Sequence, residues 1–64
     1  MYSKYAEIRD EKGYTDYMVS KKTGISTSTL SEWKSGKTQP KVDKLILIAD
    51  LFGVTLDELA RGRT

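Results

Sequence analysis

The chain contains no cysteine and no histidine. The first absence excludes disulfide cross-links. The two together exclude Cys/His zinc sites and every nucleophile–histidine pair of the kind used in acyl transfer. Proline occurs once, at position 40, so a single point is barred from helix interiors by a missing N–H. Long apolar runs are lacking too. The longest, Leu45 to Phe52, is broken by Asp50 and falls far short of the ~20 residues that a membrane-spanning helix needs. The opening MYSKYAEIRD is polar and charged, without the apolar centre of a secretory leader. These features predict a soluble, cytoplasmic protein with no membrane partner, and the missing cysteine fits that compartment. No metal, cofactor or small-molecule substrate is evident.

The 64 residues have room for one domain, 1–64, with one small core. A hydrophobic content of 38% beside 31% charged residues is that of a folded chain rather than a disordered one. A core this small, without disulfide or metal staples, is best built by helix packing. The net charge of +2 is unevenly spread. Residues 20–44 carry Lys21, Lys22, Lys34, Lys37, Lys41 and Lys44 against Glu32 and Asp43, a net +4, which leaves −2 for the rest. Such lysines can simply solubilise a domain; clustered beside a polar helix face, they favour an anionic partner.

The pattern predicts an all-α, five-helix bundle. A first helix over about 3–12 turns Tyr5, Ala6 and Ile8 inward, with Gly13 as its left-handed stop and Tyr14 packing behind it. A second runs over about 16–23 from the N-cap Thr15, with Val19 as its best buried residue, and Gly24 ends it. Ser26 caps a third over about 27–35, in which Leu30 and Trp33 share one face and Gly36 is the stop. The fourth, about 42–52, places Val42, Leu45, Ile48, Ala49 and Phe52 at helical spacing on one apolar face. After Gly53, Thr55 and Glu58 form a capping box that starts a fifth helix, whose Leu56 and Leu59 close the core. Residues 61–64 read as a frayed basic tail.

The segment Thr15 to Pro40, TDYMVSKKTGISTSTLSEWKSGKTQP, is the most informative stretch. It is a helix, a Gly-centred turn, a second short helix and a basic loop. With Leu30 and Trp33 facing inward, Thr27, Ser28, Ser31 and Glu32 form an outward row of small and acidic polar side chains. Polar helix faces are commonly mere surface. A dry back, a polar front and nearby lysines are also the properties of a helix that enters a nucleic-acid groove. Lys37 and Lys41 flank Pro40 and are either solvated loop charge or phosphate contacts. Trp33 is the natural wedge between helices rather than a base-stacking group.

The order of residues carries a family resemblance. Arg9 and Gly13 precede Thr15 to Ile25. Ser-x-Ser-Thr-Leu-Ser-x-Trp-Lys-x-Gly-Lys-x-x-Pro follows, then Leu-x-x-Ile-Ala-x-x-Phe-Gly-Val-x-Leu-Asp-x-Leu. Over about residues 5–60 the chain resembles the helix-turn-helix domain of the phage repressor and Cro class, the XRE family. The Trp33-Lys34-x-Gly36 variant is similar to regulators of prophages and mobile elements. The resemblance implies a lambda-repressor-like fold in which helices 2 and 3 form the helix-turn-helix and helix 3 enters the DNA major groove. It places Thr27, Ser28 and Glu32 at base-reading positions with Ser31 flanking them. Thr29, Ser35, Lys37, Thr38 and Lys41 fall where phosphate contacts are usual, and helix 2 crosses the backbone.

Three positions depart from the family pattern. Asp16 replaces a glutamine commonly used for phosphate contact, so a contact at this edge falls to backbone amides, Tyr17 or Lys21. Lys34 replaces a glutamate that commonly pairs with the helix 1 arginine, so Arg9 is expected to find a local carboxylate instead. Glu32 is acidic at a base-reading position; it suits the cytosine N4 donor and not the acceptor edge of guanine.

The expectation is sequence-specific binding of double-stranded DNA by a transcriptional regulator. The simplest form is a repressor acting as two copies on a pseudo-palindromic operator. The alternative is an antitoxin or other protein-interaction module on the same fold, with weak DNA binding. Leu47 and Leu51 lie off the apolar face of helix 4; they either bury beneath helix 5 or contact a homodimer partner. Nothing in the sequence points to an enzyme.

Overall fold

In the computed structural model, which describes residues 2–61, five helices follow one another: α1 (Tyr2–Glu11), α2 (Asp16–Thr23), α3 (Thr27–Ser35), α4 (Val42–Phe52) and α5 (Leu56–Arg61). No strand occurs among the described residues, and no helix of theirs is long and apolar enough to cross a membrane. The bounds of α2, α3 and α4 agree with the sequence pattern because local chemistry sets them. Thr15 Oγ1 accepts from the Met18 amide at 3.2 Å, and Ser26 Oγ accepts from the Thr29 amide at 3.1 Å. Each hydroxyl satisfies one of the donors that a helix start leaves unpaired. Gly24 and Gly36 close α2 and α3 at φ of +82°, where a side chain would be strained. The predicted capping box of α5 is present: the Glu58 amide donates to Thr55 Oγ1 at 3.1 Å, and Glu58 Oε1 accepts from the Thr55 amide at 3.4 Å.

The core consists of Tyr5, Ile8, Val19, Ile25, Leu30, Trp33, Ile48, Ala49, Phe52 and Leu59. Every helix contributes, and Ile25 enters from the turn between α2 and α3. Phe52 stacks on Tyr5 with ring centres 6.0 Å apart, and Tyr14 meets its edge at 5.5 Å. Tyr14 thus packs behind the end of α1 as the sequence predicts.

Several sequence expectations are corrected. α1 starts at Tyr2 and ends at Glu11, one residue earlier at each end than expected. Ala6 does face inward, packing half-buried against the core. Val42 is 62% exposed, because at the first residue of α4 it lies beyond the part of the helix that α2 and α5 cover. Leu56 is 40% exposed, so Leu59 alone closes the core from α5. Arg61 belongs to α5, with its Nε 3.0 Å from Asp57, while residues 62–64 of the expected tail lie outside the described residues.

A polar clamp joins α1 to the start of α2. Tyr2 and Tyr5 donate their hydroxyls to Asp16 Oδ2 and Oδ1 at 2.8 and 2.6 Å. Arg9 Nη1 donates to Asp16 Oδ1 at 2.8 Å, and Arg9 Nε and Nη2 reach Asp10 Oδ1 at 2.9 and 2.8 Å. Arg9 therefore does find local carboxylates, and two of them. Burial works against the charged Asp16, but hydrogen bonds from Tyr5, Arg9 and Tyr2 outweigh it and hold its carboxyl below the ordinary value of 3.8. Burial, and then the hydrogen bond to Asp16, push the Tyr5 phenol far above its ordinary 10.0.

These two shifts set opposite limits on the clamp. A lowered Asp16 value contributes stability that is complete above about pH 4, its unfolded value, and is lost as pH falls through the folded one. A raised Tyr5 value contributes stability that is complete below about pH 10 and is lost as pH climbs past it. Tyr5→Phe, which keeps the ring and removes the donor, is expected to cost about 2 kcal/mol near neutral pH. The difference between wild type and variant should shrink at both acid and alkaline extremes. Urea unfolding across the pH range tests this, and a difference that does not change with pH would contradict the assigned roles.

Candidate nucleic-acid interface

α2 and α3 are joined at a fixed angle by a turn with few free groups. Thr23 Oγ1 donates to the Val19 carbonyl at 2.7 Å and accepts from the Ile25 amide at 3.2 Å. Ile25 is 2% exposed and pins the turn to the core. Leu30 and Trp33 then anchor the inward face of α3, at 0% and 5% exposure. A nine-residue helix held along one side leaves its opposite side free. Thr27, Ser28 and Ser31 are exposed there.

Glu32 differs from its neighbours. It is half-buried, and Thr38 from the following loop donates to its Oε1 at 3.4 Å. The Glu32 carbonyl also organises that loop: it accepts from Ser35 Oγ at 3.0 Å and from the Lys37 amide at 2.9 Å. Three of the sequence-predicted residues, Glu32, Ser35 and Thr38, therefore form one bonded unit at the end of α3. The Ser35 hydroxyl is turned to the backbone rather than outward. Thr29 is half-buried, its Oγ1 2.9 Å from Ser26 Oγ at the helix start.

The basic loop forms the other edge. Lys37, Thr38 and Lys41 are exposed. A cleft of about 370 Å³ between α3 and α4 is lined by Thr29, Trp33, Thr38, Gln39, Pro40, Lys41, Asp43 and Lys44. It draws in Gln39 and Lys44, neither of which the sequence pattern placed among the backbone contacts. Both are separated from α3 in sequence, and only the fold of the loop brings them beside it. On α2, Tyr17 is 63% exposed and the Lys21 ammonium lies 5.5 Å from its ring centre. Tyr17 and Lys21 thus form a preset pair on the outer face of α2. Asp16, next to them, has its charge compensated by Arg9. Lys34 faces a separate cleft of about 370 Å³, lined also by Tyr2, Arg9, Asp10, Tyr14, Thr15 and Asp16.

Of the two helix 4 leucines, Leu51 packs partly against the core and Leu47 is 41% exposed. Among the described residues no group of acidic side chains is placed to hold a metal ion.

The model of the family described as Helix-turn-helix matches residues 6–59. The chain belongs to this family, the XRE-type helix-turn-helix proteins. It is 34% identical over 59 residues to the HTH-type transcriptional activator BcrR of Enterococcus faecalis, covering 92% of this chain and 29% of that protein. It is 36% identical over 53 residues to the HTH-type transcriptional regulator AnsR of Bacillus subtilis, covering 83% of this chain and 46% of that one. An uncharacterized HTH-type transcriptional regulator of Haemophilus influenzae is 37% identical over 43 residues, covering 67% of this chain and 18% of its own length. The chain thus spans less than half the length of each of these relatives. No solved structure matches it.

The XRE-type turn depends on the cap that starts α3. Ser26→Ala removes the acceptor for the Thr29 amide and is expected to cost about 1 kcal/mol of stability. Ser26→Asn should restore most of it, as read from urea midpoints. Equal stability of Ser26→Ala and wild type would show that the cap contributes nothing.

Proposed function

We propose that this domain binds double-stranded DNA sequence-specifically, as part of a cytoplasmic transcriptional regulator. One observation carries the proposal: the buried residues of α3 are Leu30 and Trp33, so it presents Thr27, Ser28 and Ser31 outward beside a lysine-bearing loop. Membership of the XRE-type family and its similarity to HTH-type transcriptional regulators support the same conclusion.

In this mechanism α3 lies in the major groove. Thr27, Ser28 and Ser31 meet base edges and thymine methyls through short hydroxyl side chains. Glu32, steadied by Thr38, accepts from cytosine N4 and disfavours guanine. Lys37, Lys41, Thr38 and Thr29 contact phosphates on the loop side, with Tyr17 on the α2 side. Ser35 contributes indirectly, by holding the loop that carries Lys37. Hydroxyl groups discriminate bases less strongly than a bidentate arginine or glutamine, so water and DNA shape carry a large share of the specificity. Two copies on a pseudo-palindromic operator would read both half-sites, and occlusion of polymerase is the simplest regulatory result.

Affinity for duplex DNA should fall steeply with salt, with a log–log slope of roughly −3 to −5 per domain. Lys37→Ala and Lys41→Ala should each reduce that slope by about one and weaken all sequences alike. Fluorescence anisotropy at several salt concentrations measures both. A flat salt response, or no duplex binding at low salt, would overturn the proposal in favour of a protein-interaction module.

Ser28→Ala combined with Glu32→Ala should change the site recovered by selection from a random duplex pool. Stability should stay within about 1 kcal/mol of wild type. An unchanged selected site would show that α3 does not read bases as described.

A further inference from the structure

Four positions of α4 form one surface strip, which at its Asp43 end borders the cleft beside α3. Asp43, Ile46, Leu47 and Asp50 follow the i, i+3, i+4, i+7 spacing that puts side chains on one side of a helix. The inward side of α4 is the opposite one, carrying Ile48, Ala49 and Phe52 into the core. Ile46 and Leu47 are 44% and 41% exposed and sit between the two aspartates. Val42, 62% exposed, extends the apolar part toward the start of the helix. The strip from Asp43 to Asp50 is about 10 Å long.

The helix's own stability does not explain this composition. Asp43 in the first turn is favoured by the helix dipole, but Asp50 lies near the opposite end, where a negative charge is disfavoured. Neither aspartate has an ion-pair or hydrogen-bond partner among the described residues. Adjacent exposed Ile46 and Leu47 likewise add nothing to the core. An apolar centre with an unpaired carboxylate at each end is complementary to an apolar segment with cationic ends.

We propose that the outward face of α4 is a docking surface for a basic amphipathic helix of a protein partner. The partner sets apolar side chains on Ile46, Leu47 and Val42, and its Lys or Arg residues pair with Asp43 and Asp50. A second copy of this chain fits the face poorly. Antiparallel apposition of two α4 strips brings Asp43 of one copy toward Asp50 of the other, at both ends of the contact. Like charges placed so disfavour that pairing.

The test uses the isotopically labelled protein and two synthetic helical peptides of the same pattern, one of Leu and Lys and the other of Leu and Glu. The Lys peptide is expected to bind, with NMR shift changes centred on Asp43, Ile46, Leu47 and Asp50. Asp43→Lys with Asp50→Lys should weaken the Lys peptide by about ten-fold or more and create binding of the Glu peptide. Circular dichroism checks that this surface variant stays folded. The proposal is overturned by shifts centred instead on the acidic face of α1, by equal binding of the two peptides, or by no binding. It is overturned equally by concentration-dependent self-association through this face that Leu47→Lys abolishes. DNA binding does not enter these measurements, so their outcome is independent of the proposed function.

Discussion

Two side chains, Leu30 and Trp33, hold α3 to the rest of the molecule, and the architecture depends on how narrow that attachment is. A nine-residue helix with a wider apolar face would have to be covered on more than one side. Here the burial is confined to one stripe, so the small hydroxyl side chains opposite it stay in water. Ile25 fixes the angle at which α3 leaves the turn, and Trp33 fills the space among its neighbours. The two anchors and the turn together make a rigid exposed helix possible in a chain with room for only one small core.

The polar clamp solves a second problem, the attachment of α1. This helix has few apolar residues and would be held weakly by Tyr5 and Ile8 alone. Its tyrosine hydroxyls and Arg9 converge on Asp16 at the first turn of α2, and the Asp16 charge also suits the dipole there. The carboxylate that looked unsuited to a DNA-facing edge is thereby paired with a guanidinium and takes part in holding the fold. Lys34, where the family resemblance led to the expectation of a glutamate partner for Arg9, is exposed and makes no ion pair among the described residues.

Most of the fold was legible in the sequence. Thr15, Ser26, Gly24, Gly36, Gly53 and the Thr55/Glu58 box act on amides and carbonyls a few residues away. Helix ends can therefore be read without knowing the tertiary structure. The outward row on α3 was legible for the same reason, since Leu30 and Trp33 define its back. Burial at the margins was less so. Val42 follows the apolar spacing of α4 but sits past the reach of the packed helices. Ile46 was overlooked because its exposure depends on the rotation of α4 about its axis. The coupling of Glu32, Ser35 and Thr38 was also hidden, because it depends on the path of the loop after Gly36.

By itself the sequence determined the all-α class, the order of the helices, the ends of α2, α3 and α4, and the outward polar row of α3. Each of these follows from interactions within about one helical turn. The tertiary structure alone decided that Tyr2, Tyr5 and Arg9 converge on Asp16, that Gln39 and Lys44 join the cleft beside α3, and how far Val42, Ile46 and Leu47 stay exposed. Those outcomes depend on distances and rotations between separate helices, and local spacing carries no information about them.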